Sequence, residues 1–182
     1  THSGFRWLLL FIDTSEPVTF EKIGDKVRGL ITGVSGVPKK TLGVLSSLKD
    51  FALEAISIVQ SNFSEFDLHT CRVEEIEKYV SVLPDRLKPI FEGAIKNHYY
   101  TQEALKEFKN PLVDLNRIGD LMNGHHDVLK NLLKNTVPRI DDMIDAAIDA
   151  GALGAKIVGS GGGGSIVAIA KPEMKIKLLR QY

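Results

Sequence analysis

The chain has no excess of either charge: 23 Lys and Arg stand against 23 Asp and Glu. Without a basic field there is nothing to draw it to nucleic acid or to an anionic membrane surface. It holds one cysteine, Cys71, so no disulfide can form within it, and a reducing cytoplasm is the simplest setting. A lone cysteine of this kind is expected to be a buried small hydrophobe. No apolar run approaches the roughly 20 residues needed to cross a bilayer. The opening THSGFRWLLLFID lacks a cationic n-region and a cleavage site, so it does not read as a signal peptide. It reads as a strand already under way, the pattern expected of a chain cut from something longer. There is no internal repeat.

What is present fits one folded unit. At 182 residues, 43% apolar and 25% charged, the chain can bury roughly 70% of its unfolded surface. The first third is strand-like: FRWLLLFID is a continuous apolar run, PVTFEKI alternates, and RGLITGVSG adds a third β-rich run. Three such runs joined by short turns predict antiparallel pairing. From Thr41 the period changes to helical, with Leu45, Leu48, Ala52, Ala55 and Val59 on one stripe. A short helix is predicted over 73–82, then stripes from Leu87 to Phe108 and from Leu115 to Leu132. A last helix is predicted to start at Pro138 and stop at Gly151. The tail returns to β in AKIV, SIVAIA and, as a further candidate, MKIKLL. Strands at both ends around a helical middle predict an α+β fold, an antiparallel sheet with helices on one face. We divide the chain into 1–36 (strands), 37–150 (helices) and 151–182 (glycine loop and closing strands).

The glycine loop is the most informative stretch. GSGGGGS between two apolar strands contains one copy of a flexible linker unit, but a linker joins units with polar flanks, and too little chain follows to make a second domain. Its G-x-G-x-x-G spacing would serve a dinucleotide only if it opened a helix, whereas SIVAIA is β-branched and alternating. A phosphate loop of the Gly-Lys-Ser/Thr type is excluded because no lysine ends it. What remains is a strand-to-strand turn so rich in glycine that phosphate or other backbone can come close, with an idle hairpin tip as the alternative.

Taken with its surroundings, GALGAKIVGSGGGGSIVAIA resembles the third motif of the GHMP kinases, the family that includes galactokinase, homoserine kinase, mevalonate kinase and phosphomevalonate kinase. Upstream, Leu121, Met122, His126, Pro138 and Asp141 fall on that family's C-terminal pattern. SGVPKKT is similar to its strand end and turn into a long helix, and LPDRLKPIFEGAIKNHYY resembles a galactokinase segment. The order of segments is most like galactokinase. Two details differ: LSSLKDFALE lacks the tyrosine usual there, and NLL stands where Asp-Asp-Tyr is usual.

The resemblance implies a ferredoxin-like C-terminal domain over 1–182, with the N-terminal catalytic half absent. It implies a parent enzyme that moves the ATP γ-phosphate to a sugar hydroxyl with Mg²⁺. Mevalonate-type transfer and a non-catalytic binding or sensor domain remain as alternatives. Gly159, Ser160, Gly161, Gly162, Gly163 and Gly164 are implied to approach the phosphate, with Ser35 and Gly36 as substrate-side candidates. No catalytic or metal residue is expected in this chain, which alone is expected to bind neither ATP nor Mg²⁺ and to be inactive. Its expected partners are the missing half and, through its uncovered apolar face, other copies of itself. GVLSSL is not taken as a phosphate loop, because its spacing continues the first helix. His98 and His125 lie on apolar stripes and are expected to be packed. His125 and His126 diverge by about 100° on a helix and cannot chelate together. Asp141, Asp142, Asp145 and Asp149 are expected to be solvated or to favour a helix N-terminus.

Overall fold

The computed structural model describes residues 9–14, 17–24, 29–39, 41–159 and 161–171, with backbone only for 41–46. Among these described residues five strands and five α-helices make an α+β fold: β1 (Leu9–Asp13), β2 (Thr19–Gly24), β3 (Leu30–Val34), α1 (Thr41–Asn62), α2 (Ile76–Val80), α3 (Lys88–Lys109), α4 (Leu115–Asp127), α5 (Pro138–Asp149), β4 (Gly154–Ile157) and β5 (Ser165–Ile169). A 3₁₀ turn, Val73–Glu75, leads into α2, and a π-helical turn, Val128–Leu132, extends α4. Phe5 to Leu8 of the first apolar run, and the candidate strand in MKIKLL, lie outside the described residues.

The three early strands do not form one meander. β1 pairs with β2 as a hairpin, but β3 pairs antiparallel with β5, which also pairs with β4, in the order β3-β5-β4. One face of this three-stranded sheet carries Ala155, Ile157, Ile166 and Ala168. Against it lies α5, through Ile140, Met143, Ile144 and Ala147, spaced for a single helical stripe. Asp142, Asp145 and Asp149 fall on the opposite, exposed side. The helix ends as the spacing predicts: Gly151 takes φ 98°, its N–H reaches the Ile148 carbonyl, and the Ala152 N–H reaches that of Ala147.

A second core joins α1, α2 and α3 through Ala55, Val59, Tyr79, Leu87, Phe91 and Ile95. Phe66 and Tyr79 meet edge to face at 4.9 Å. Cys71 packs beside this core half-buried, less than the full burial expected of it, and burial raises its thiol to about 11. Among the described residues no helix is long and apolar enough to cross a membrane.

β4 is a sheet edge, and α4 covers it. The side chain of Asn123 donates to the Leu153 carbonyl (3.2 Å) and accepts from the Ala155 N–H (3.0 Å), which satisfies backbone groups that an open edge would leave unpaired. Close approach is possible because Gly119 of α4 lies on the strand; a Cβ there would sit 2.5 Å from the Leu153 carbonyl oxygen. The helix is started by Asp114, whose carboxylate accepts from the N–H groups of Asn116 and Arg117.

Candidate functional site: the glycine loop and its clamp

The loop joins β4 to β5 at the end of the sheet where β3 also finishes. Every described glycine in it has positive φ: Gly159 76°, Gly161 80°, Gly162 68°, Gly163 131° and Gly164 89°. A run of this kind is open only to glycine, since a Cβ costs about 1–2 kcal/mol at each left-handed position. Two backbone segments close on it. On one side the Ser35 N–H and hydroxyl both donate to the Gly164 carbonyl (2.8 and 2.7 Å), and the Gly164 N–H donates to Val37 O (3.0 Å). The Ser35 hydroxyl also accepts from the Val37 N–H at 3.1 Å. Gly36 turns the chain there with φ 72°, its missing side chain facing open space. On the other side the Gly162 N–H donates to Asn135 O (3.1 Å), and a Cβ on Gly161 would lie 2.5 Å from that same oxygen.

Asn135 arrives by an unusual route. The π-helical turn is capped by Leu133 and followed by Lys134, a non-glycine residue at φ 50°, and the Asn135 N–H then donates to Leu129 O at 2.8 Å. Backbone strain of this sort is held by surrounding packing and is frequent at functional loops. The glycine stretch is therefore a clamped loop whose Gly162 and Gly164 amides already serve protein carbonyls.

Positive charge comes from residues outside the loop. Lys39, just past the Ser35–Gly36 turn, donates to Val158 O at 3.4 Å and lies along Gly159 and Gly164. Beside the loop is a cavity of 400 Å³ lined in part by Lys49, Asn97, His125, Asn135, Lys156 and Gly159. The Asn97 side-chain oxygen there is buried and has no partner among the described residues. Burial lowers the pKa of Lys156, and it lowers that of His125 to about 4, with Lys156 and His126 adding to the effect, so His125 is uncharged at neutral pH.

The structure brings the substrate-side candidates Ser35 and Gly36 directly against Gly164, and Ser35 acts there as a backbone tie. Ser160 lies outside the described residues. Lys39, Asn135 and Lys156 were missed by the sequence reading. Lys39 sits in the SGVPKKT segment already singled out, and Lys156 is a lone cation in the short strand AKIV; Asn135 left no signal. Asp141 lies in the first turn of α5, the helix N-terminus expected of it, and is also tied to its neighbours. It lies 3.5 Å from His126 Nε2 and 3.6 Å from Lys130 Nζ and accepts from the Thr136 hydroxyl, tying α5 to α4. Burial lowers the His126 pKa, opposed by the Asp141 charge. His98 is half-buried at the His69 carbonyl, 3.2 Å away. Among the described residues no three His, Cys, Asp or Glu side chains are placed to hold a metal ion.

Comparison with known proteins relates the loop and its surroundings to a kinase family. The family described as GHMP kinases C terminal matches residues 102–182. That match takes in α4, α5, β4, β5 and the glycine loop between the last two. Over 166 residues it is 28% identical to the mevalonate kinase of Thermococcus sibiricus, covering 85% of this chain and 48% of that protein. Over 88 residues it is 36% identical to the mevalonate kinase of Thermococcus gammatolerans, covering 48% of this chain and 26% of that protein. In structure it resembles Lactococcus lactis galactokinase complexed with galactose, with a TM-score of 0.76 at 21% identity, over 90% of this chain and 46% of that one. L. major mevalonate kinase in complex with R-mevalonate gives 0.54 at 17% identity, over 95% of this chain and 43% of that one. These two likenesses concern the fold. The chain spans about half the length of the curated relatives it matches over most of its length.

Proposed function

We propose that this domain is the C-terminal half of an ATP-dependent kinase that phosphorylates a small-molecule hydroxyl, and that its glycine loop forms the wall against which the reacting phosphate and acceptor are held. The observation that carries the reading is the clamped run of positive-φ glycines with the Lys39 ammonium along it. A side-chain-free wall lets substrate oxygens come close, and a nearby cation offsets the charge on a transferred phosphoryl group. The γ-phosphate cradle, the Mg²⁺ ligands and the residue that orients the hydroxyl would come from the other half of the parent enzyme.

For the acceptor, a hydroxy acid of the mevalonate kind fits better than the neutral sugar suggested by the order of segments. The cavity beside the loop holds two lysines and, among the described residues that line it, no carboxylate. The matching sequences named above are mevalonate kinases. A non-catalytic binding role is favoured by one observation, the engagement of the Gly162 and Gly164 amides by protein carbonyls.

The test is to assay ADP release by the full-length parent with R-mevalonate and with galactose, and by this chain alone. Turnover with mevalonate by the parent only is expected. Galactose turnover would move the acceptor to sugars, and turnover of neither would favour the binding role. In the parent, Gly162→Val should lower turnover at least tenfold; unchanged turnover would remove the loop from the reaction.

A further inference from the structure

A second cavity shares Lys156 and His125 with the cavity beside the glycine loop but is otherwise lined by different residues. The β1–β2 hairpin, α3 and α4 border a partly open space of 240 Å³. Leu9, Phe11, Ile23, Leu105, Phe108 and Met122 contribute apolar lining, and its polar end is formed by Lys156 and His125. Lys156 donates one N–H to Ile157 O at 2.8 Å, and no carboxylate is paired with it among the described residues. An ammonium has three donors, and a desolvated one without a counter-ion is an incomplete arrangement. The His125 ring stacks on Tyr100, 6.4 Å between centroids, and closes the same end.

We infer that this chamber binds a medium-chain carboxylate, its head on Lys156 and His125 and its hydrocarbon body between the hairpin and α3. Size supports the class. A cavity of about 150 Å³ takes the six carbons of benzene, so this chamber takes about ten non-hydrogen atoms. That number corresponds to an eight-carbon fatty acid. Charge complementarity distinguishes the ligand from a neutral hydrocarbon, since burial makes Lys156 gain most from an anion at its head. Neutral His125 adds a hydrogen-bonding ring without a competing charge. The apolar body of this site lies away from the glycine loop, while its head shares Lys156 and His125 with the cavity beside the loop, so an acid acceptor there and octanoate here would compete for one cation.

Titration of the chain, labelled at its methionine methyls, with octanoate tests this at neutral pH. Met122 lines the chamber while Met143 lies in the other core. Saturable movement of the Met122 signal with Met143 unmoved is expected. Octan-1-ol should bind at least tenfold more weakly, and Lys156→Met, which keeps the apolar volume, should weaken octanoate at least tenfold. Where that variant does not fold, the comparison of octanoate with octan-1-ol on the unaltered chain decides. An unmoved Met122 at millimolar octanoate, equal binding of acid and alcohol, or full binding by a folded Lys156→Met overturns the inference.

Discussion

Lowering the pH from 7.5 to 5 should weaken this fold measurably through its buried histidines. His125 is held by burial at a pKa of about 4, against an ordinary value of 6.5. A histidine depressed in the folded state binds its proton more readily once unfolded. Its stabilising contribution is therefore complete above pH 6.5 and is lost as the pH falls toward 4. At about 1.4 kcal/mol per unit, the loss at pH 5 is about 2 kcal/mol, and residual contact with water reduces it to roughly 1–2. His126, also lowered, acts in the same direction. For a domain of this size that corresponds to a fall in Tm of about 3–6 °C. Glu65, Glu75, Asp85 and Glu103 all lie below their usual values, held by neighbouring cations and hydrogen bonds, so their contributions are lost at lower pH. The window from 6.5 to 5 thus isolates the histidines. Thermal melts at fixed ionic strength, on the parent chain and on His125→Gln, measure the effect. A parent Tm that is flat over this window, or a His125→Gln slope equal to the parent's, would refute the reasoning.

Three further outcomes are expected. Gly161→Ala places a Cβ at φ 80° against the Asn135 carbonyl and should cost at least about 2 kcal/mol in urea unfolding, whereas Gly36→Ala, with positive φ but open space, should cost about 1. Equal costs would show that the clamp on the loop is not tight. Asn123→Leu leaves the Leu153 carbonyl and Ala155 N–H without partners and should cost about 2–4 kcal/mol; faster amide exchange at Ala155 would mark the freed edge, and unchanged exchange would count against it. The outer hairpin face, where Ile12 (57% exposed) opposes Phe20 (69% exposed), should make the isolated chain self-associate, and Phe20→Lys should restore a monomer in sedimentation; a parent that stays monomeric at high concentration contradicts this.

The helical middle was legible because its cues are local. Leu45 to Val59, Leu87 to Phe108 and Ile140 to Ala147 repeat at the helix period, and Pro138 and Gly151 mark the ends of α5. The pairing of β3 was not legible. Nothing in LITGV distinguishes β2, a few residues away, from β5 at the far end of the chain, since both offer a β-rich partner. What decides is the α5 stripe, which needs one apolar sheet face; that face is assembled from Ile31, Ile166 and Ile157, and β3 completes it. The π-helical turn was hidden because Leu129 and Leu132 continue the apolar stripe of α4. Its consequence is to set Lys134 in a left-handed conformation and aim the Asn135 carbonyl at Gly162. The sequence could show that the glycines make room for a close approach. Which backbone fills that room depends on turns more than twenty residues away, and on one side it is Asn135 that does so. The same logic explains Lys156: alternation along β4 sends Ala155 and Ile157 into the α5 core and so places the lysine on the opposite side, at the wall between the two cavities.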